Sequence, residues 1–234
     1  MNTQSNGYTV VYSAIMVVVV AAALTLVSQG LKSRQVANEE NANRASILKS
    51  AGVQAGEDVS ADFKKYVTDG FLVDANGAKS GKFENVDKYP VLVFNNNGEQ
   101  KYIVPIDGAG LWDRIWGFVS LKNDFNTIDG VVFDHAGETP GLGAEMTNPN
   151  WSNQFNGKVL SEGGNFVGVK IYKGDASKDP KHGIDAITGS TMTSNGVEAM
   201  VNDCLKKYEG FKQSLGKTAA AAPVAAVNNN NVND

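Results

Sequence analysis

The first 31 residues contain no charged side chain; the first to appear is Lys32. Within them, residues 10–27 read VVYSAIMVVVVAAALTLV, interrupted only by Tyr12, Ser13 and Thr25. With Tyr8 and Thr9 the run reaches about 20 residues, and a helix rising about 1.5 Å per residue then crosses a hydrocarbon core of about 30 Å. A cleaved signal peptide would show a basic start and a shorter apolar core, whereas MNTQSN has no Lys or Arg. A soluble buried helix this uniformly apolar is out of keeping with a chain of 234 residues. A single membrane anchor over residues 1–31 is therefore expected. Lys32 and Arg34 follow the span and no basic side chain precedes it, which leans towards a cytoplasmic C-terminal domain.

The remainder has the composition of a folded domain, and its rare residues exclude several chemistries. One Cys rules out an intrachain disulfide framework. With only two His, a metal site built from the usual nitrogen and sulfur ligands is not expected either. A net charge of -4 argues against a nucleic-acid partner, which would call for a basic stripe. The 25 glycines are about one and a half times the average share, so many tight turns or close backbone approaches are implied.

Residues 32–55 contain few breakers and read as a helical stalk, with a stop at Ala51-Gly52. Residues 58–67 suggest a short helix. Residues 91–94 and 101–106 flank Asn95-Asn96-Asn97-Gly98 and predict a hairpin with an Asn-Gly turn. Residues 115–121 and 127–133 make a second strand pair, and 166–172 a further strand. Val197, Met200, Val201, Cys204, Leu205 and Tyr208 recur at helical spacing on one face. Asn195 with Glu198 suggests the cap of that helix, and Gly210 its end. Cys204 falls on the apolar stripe and reads as a core residue. The expected fold is α+β, an antiparallel sheet with flanking helices over residues 56–216, followed by a disordered low-complexity tail, 217–234.

Small and turn-forming residues concentrate in three segments: GAGLWDRIWGFVSL from Gly108, HAGETPGLGAEM from His135 and DAITGSTMTS from Asp185. The third carries the hydroxyls of Thr188, Ser190, Thr191, Thr193 and Ser194 just before a helix. Such a place suits a phosphate, because first-turn N–H groups and the helix dipole both favour an anion. Read from the residues alone, an ordinary Ser/Thr-rich cap is the commoner explanation of such a segment. The run from Glu138 through Thr139, Leu142 and Gly143 is a turn that could bring backbone close to a planar ligand. Trp112 and Trp116 are expected to pack in a core, and His135 and His182 to be structural.

Taken together and in order, these segments resemble the FMN-binding domain family, and within it the flavin-bearing subunits of membrane complexes that oxidise NADH, reduce quinone and export Na+. The family's flavinylation signal runs Asp, two variable residues, Ser or Thr, Gly, Ala, Thr. Here it reads Asp185-Ala186-Ile187-Thr188-Gly189-Ser190-Thr191, with Ser190 standing where Ala is usual. The resemblance implies that Thr191 carries FMN through a phosphoester and that a flavin transferase installs it. It further assigns Asp185, Thr188, Gly189 and Ser190 to the attachment motif, and Glu138, Thr139, Leu142 and Gly143 to the flavin ring. The implied role is electron relay between the other subunits of the complex, with no catalytic residue and no metal of its own. The domain would face the periplasm, against the weak vote of Lys32 and Arg34. A subunit of the related ferredoxin:NAD+ reductase complex, or a flavin-free membrane-tethered scaffold, are the alternatives.

Overall fold

Helix α1 (Asn6–Ser50) is long and apolar enough to cross a membrane, and side chains such as Val17, Leu24 and Leu26 stand exposed along it. The computed structural model describes residues 6–74, 76–80 and 89–220, and the chain divides into two units, Met1–Arg44 and Ala45–Asp234. The first unit is helix α1 up to Arg44. The second begins with the last turn of α1, where Ile47 and Leu48 are buried. The helix ends at the predicted stop: the Ala51 and Gly52 N–H groups bond back to the Leu48 and Lys49 carbonyls, and Gly52 takes a φ of +84°.

Helix α2 (Val59–Tyr66) is capped by Asp58, whose Oδ1 accepts the Ala61 N–H at 3.0 Å. Then come β1 (Val67–Val73), β2 (Lys79–Ser80), β3 (Tyr89–Asn96), β4 (Glu99–Ala109), β5 (Arg114–Lys122) and β6 (Ile128–His135). They form one antiparallel sheet in the order β2-β1-β3-β4-β5-β6. The β3–β4 connection is the predicted tight turn, with Asn97 and Gly98 both at positive φ. Beyond the sheet lie α3 (Pro149–Ser152), the antiparallel pair β7 (Ser161–Glu162) and β8 (Asn165–Phe166), and β9 (Lys170–Tyr172), which pairs in parallel with β10 (Gly183–Asp185). Helices α4 (Thr191–Lys206) and α5 (Glu209–Ala220) complete the domain.

Strand alternation sorts the sheet into two apolar faces. Phe71, Val73, Val91, Tyr102, Val104, Ile106, Val119 and Leu121 point to the larger core, shared with Val197, Val201, Leu205 and Phe211 of α4 and α5. Leu92, Phe94 and Ile103 point the other way, against Ile47, Leu48 and Ala51, with Phe63 and Tyr66 of α2 packed alongside. The fold is thus the expected α+β type with an antiparallel sheet and an N-terminal apolar helix.

Several local expectations need correction. The strand expected over 166–172 is broken into β8 and β9, because Gly168 takes a φ of +76° and leaves the extended region. Helix α4 begins at Thr191, with Ser190 as its cap residue, so Asn195 and Glu198 lie inside it. Glu198 does not close a capping box; it accepts the Ile171 N–H and ties α4 to β9. Gly210 does not end that helix but belongs to α5, where a Cβ on Gly77 would overlap its carbonyl carbon. Helix α5 runs to Ala220, into the segment read as tail, and residues 221–234 lie outside the described residues.

Candidate functional site

The three glycine-rich segments meet at one buried carboxylate, that of Glu138, which is 4% exposed. The first segment reaches it through the β4–β5 hairpin tip. There Gly110 N–H bonds to the Asp113 carbonyl at 2.8 Å, and the Leu111 and Trp112 N–H groups both donate to Glu138 Oε1, at 2.7 and 3.1 Å. The third segment reaches it through Thr193, whose Oγ1 donates to Glu138 Oε2 at 2.6 Å and accepts from Ser190 Oγ at 2.9 Å. Glycine makes this convergence possible. A Cβ at Gly110 would overlap Oε1, and one at Gly143 would overlap Oε2 and Thr193 Oγ1. The His135 ring anchors the start of the loop, its Nδ1 accepting the Glu138 N–H at 3.2 Å.

Thr191, the first residue of α4, is half-buried. The turn before it is held internally: Ser190 N–H bonds to the Ile187 carbonyl, and Ser194 Oγ bridges the Ile187 N–H and the Ser190 carbonyl. Gly189 sits at φ +75°, a conformation a side-chain-bearing residue enters at a cost of about 1–2 kcal/mol. Its neighbour across the gap is Leu142, whose Cδ2 a Cβ on Gly189 would meet at 3.0 Å. The Thr139–Gly143 loop therefore abuts the 185–191 segment. Asp185 lies further back and works on backbone: its Oδ1 accepts the Ala176 N–H at 2.8 Å, and its carbonyl accepts Trp151 Nε1–H at 2.7 Å. Thr188 and Thr139 are exposed, and Gly143 is buried.

Trp112 corrects an expectation. It is 69% exposed instead of packed in a core, because it sits on the hairpin tip beyond Ala109↔Arg114, the last rung of the ladder. Trp116, on β5, is half-buried with the Arg114 guanidinium 5.5 Å from its ring. Exposed Leu111, Leu142 and Met192 belong to the same three segments as Trp112. Sequence reasoning grouped Thr193 with the motif's hydroxyls but assigned it no role; only the fold brings it to Glu138. The expected structural histidine is seen at His182, buried with Nδ1 3.0 Å from the Gly168 carbonyl. Cys204 is buried with its Sγ against the Asp107 carbonyl.

The family model described as FMN-binding domain matches residues 110–206, from the hairpin tip to the end of α4. The C subunit of the Na(+)-translocating NADH-quinone reductase of Pasteurella multocida is 45% identical over 139 residues, 59% of this chain and 51% of that protein. The Vibrio vulnificus protein of the same name is 32% identical over 201 residues, covering 72% of this chain and 78% of the relative. The chain belongs to the family of these reductase C subunits. Two solved members share its fold. The crystal structure of the Parabacteroides distasonis member superposes with a TM-score of 0.73 at 38% identity, covering 78% of this chain and 96% of that one. Shewanella oneidensis NqrC gives 0.68 at 27% identity, covering 79% and 100%.

The residues present fit the FMN that the matched domain is named for. Ser190 makes no side-chain cap bond to the first turn of α4, since its hydroxyl is turned to Thr193. The first-turn N–H groups of this 16-residue helix are thereby left for a phosphate. The apolar side chains of Leu111, Trp112, Leu142 and Met192 offer surface to a flat aromatic ring, with the polar backbone of the Thr139 loop beside them.

Proposed function

We propose that this chain is a membrane-anchored flavoprotein subunit that relays electrons through FMN held covalently on Thr191, within a Na+-translocating NADH:quinone reductase. The observation that carries the reading is the position of Thr191. It is the first residue of α4, inside the flavinylation motif, on a turn that also abuts the Glu138–Gly143 loop. Flavinylation would require an activated flavin donor, a flavin-bearing diphosphate: the Thr191 Oγ–P bond forms as the donor's P–O–P link breaks, the nucleotide monophosphate leaves, and the Thr191 proton passes to a base of the flavin transferase. The N-terminus of α4 would then hold the phosphate. Leu142, Thr139 and the exposed Leu111, Trp112 and Met192 would border the ring, while Asp185, Thr188, Gly189 and Ser190 shape the turn. Bound flavin supplies the redox chemistry, and the protein contributes its position and its electrostatics. For electron relay the chain needs no general acid, base or nucleophile, and its activity belongs to the assembled complex.

Helix α1 anchors the chain by a single span in the cytoplasmic (inner) membrane, with the domain on the periplasmic side. Two basic residues after the span are a small topological bias, and flavin transfer to this motif in the family is extracytoplasmic.

Coexpression with a flavin transferase tests the assignment. Intact-mass measurement is expected to show one FMN adduct on the wild type and none on Thr191→Ala, with a fluorescent band surviving denaturing electrophoresis only in the former. An adduct that persists in Thr191→Ala would falsify the attachment site. A colourless wild type would favour the flavin-free scaffold.

A further inference from the structure

We infer that Glu138 is the positioning residue of this site: it sets the Leu111–Trp112 wall and the start of α4 with one carboxylate, from behind the surface. The inference rests on the function proposed above and changes the role expected of this side chain, from a contact of the ring to a clamp beneath it. Both oxygens are committed to protein donors. Oε1 holds two consecutive N–H groups of the hairpin tip, and Oε2 holds Thr193, two residues after Thr191. Among the described residues no Lys, Arg or His forms an ion pair with it. Its charge is met by oriented neutral donors alone, arranged in a chain from Ser190 O–H through Thr193 O–H to the carboxylate. Each such bond strengthens its neighbour, and bonds to a charged acceptor are the stronger kind.

Two glycines show that the arrangement is tight. Gly110 and Gly143 back directly onto the two oxygens, so that a Cβ at either position would overlap the carboxylate. The clamp therefore joins a wall residue, Trp112, to the helix turn that presents Thr191, although they lie in segments far apart in sequence. It also keeps a carboxylate within two residues of Thr191 in the chain of bonds, and an anionic group near an attached flavin would oppose the addition of electrons to it. Gln in place of Glu138 separates the two arms. Its carbonyl can still accept from Leu111 and Trp112, but its amide nitrogen cannot accept from Thr193.

The test uses the full chain in detergent, with Glu138→Ala, Glu138→Gln and Thr193→Val. In Glu138→Ala, hydrogen exchange at Leu111 and Trp112 should quicken while β3 and β4 amides keep their protection, and flavinylation should slow by at least about tenfold, as when a supporting residue behind a binding site is lost. Glu138→Gln should retain protection at the tip yet raise the flavin midpoint potential. Thr193→Val should slow flavinylation without loosening the tip. Wild-type exchange at Leu111 and Trp112 together with wild-type flavinylation in Glu138→Ala overturns the inference. If that variant does not fold, an unchanged potential in Glu138→Gln together with wild-type flavinylation of Thr193→Val overturns it. Absence of any adduct on the wild type is a different result: it sinks the proposed function, while the exchange pattern still reports whether the clamp exists.

Discussion

At the scale of single residues, this site depends on what glycine lacks. Gly143 is buried between the Glu138 carboxylate and the Thr193 hydroxyl, and any side chain there forces both to move. Gly143→Ala should therefore destabilise the domain by about 1–3 kcal/mol, the usual range for overpacking a tight site. Urea denaturation followed by tryptophan fluorescence measures it, and a change within a few tenths of a kcal/mol would contradict the close approach. The sequence showed the three glycine-rich segments and the Thr191 motif plainly, because the motif is contiguous. It did not show that Thr193 serves Glu138, because that bond joins side chains 55 positions apart. Nor did it show Trp112 exposed; an indole reads as core until its place on a hairpin tip is known.

At the scale of elements, the long strands were legible and the short ones were not. Strands β3 to β6 run eight or more residues each, are rich in β-branched and aromatic side chains and are joined by turn-forming sequence. Strand β1 contains Asp69-Gly70, and its register shifts between Val67 and Asp69, so it is set by β3 more than by its own residues. Strands β7 to β10 are two or three residues long, too short for periodicity to register. The β5–β6 turn shows how such a connection is held. Burial alone would raise the Asp124 pKa, but bonds from the Thr127 hydroxyl and from the Thr127 and Asn126 N–H groups outweigh it and hold the carboxyl below its usual value. A carboxyl lowered on folding stabilises the fold above its unfolded pKa, about 3.9, and that contribution is lost as pH falls through the lower folded value. Melting temperature followed from pH 6 downward should thus decline below about pH 4 in the wild type, with a smaller decline in Asp124→Asn. Equal slopes for the two proteins would show that the turn does not depend on this charge.

At the scale of the whole molecule, the chain has two units of different chemistry. One is an apolar helix whose side chains are exposed, and the other is a domain with apolar packing on both faces of one sheet. Helix α1 enters both, since its final turn supplies Ile47 and Leu48 to the smaller core. The proposed topology has a direct consequence. A reporter that is active only outside the cytoplasm, fused after Gly216, should be active. One that is active only inside should be silent, and the reverse pattern would place the domain in the cytoplasm in line with Lys32 and Arg34.

The charge-free run before Lys32, the α+β character and the 185–191 motif could all be read from the sequence by itself. Each is local: an apolar helix of spanning length needs only length and hydropathy, a long strand only a run of β-favouring side chains between turns, a motif only adjacency. The tertiary structure decided where α4 begins, how 166–172 is divided and which groups surround Glu138. Those outcomes depend on bonds between distant segments, and a buried carboxylate takes whichever donors the fold brings within reach.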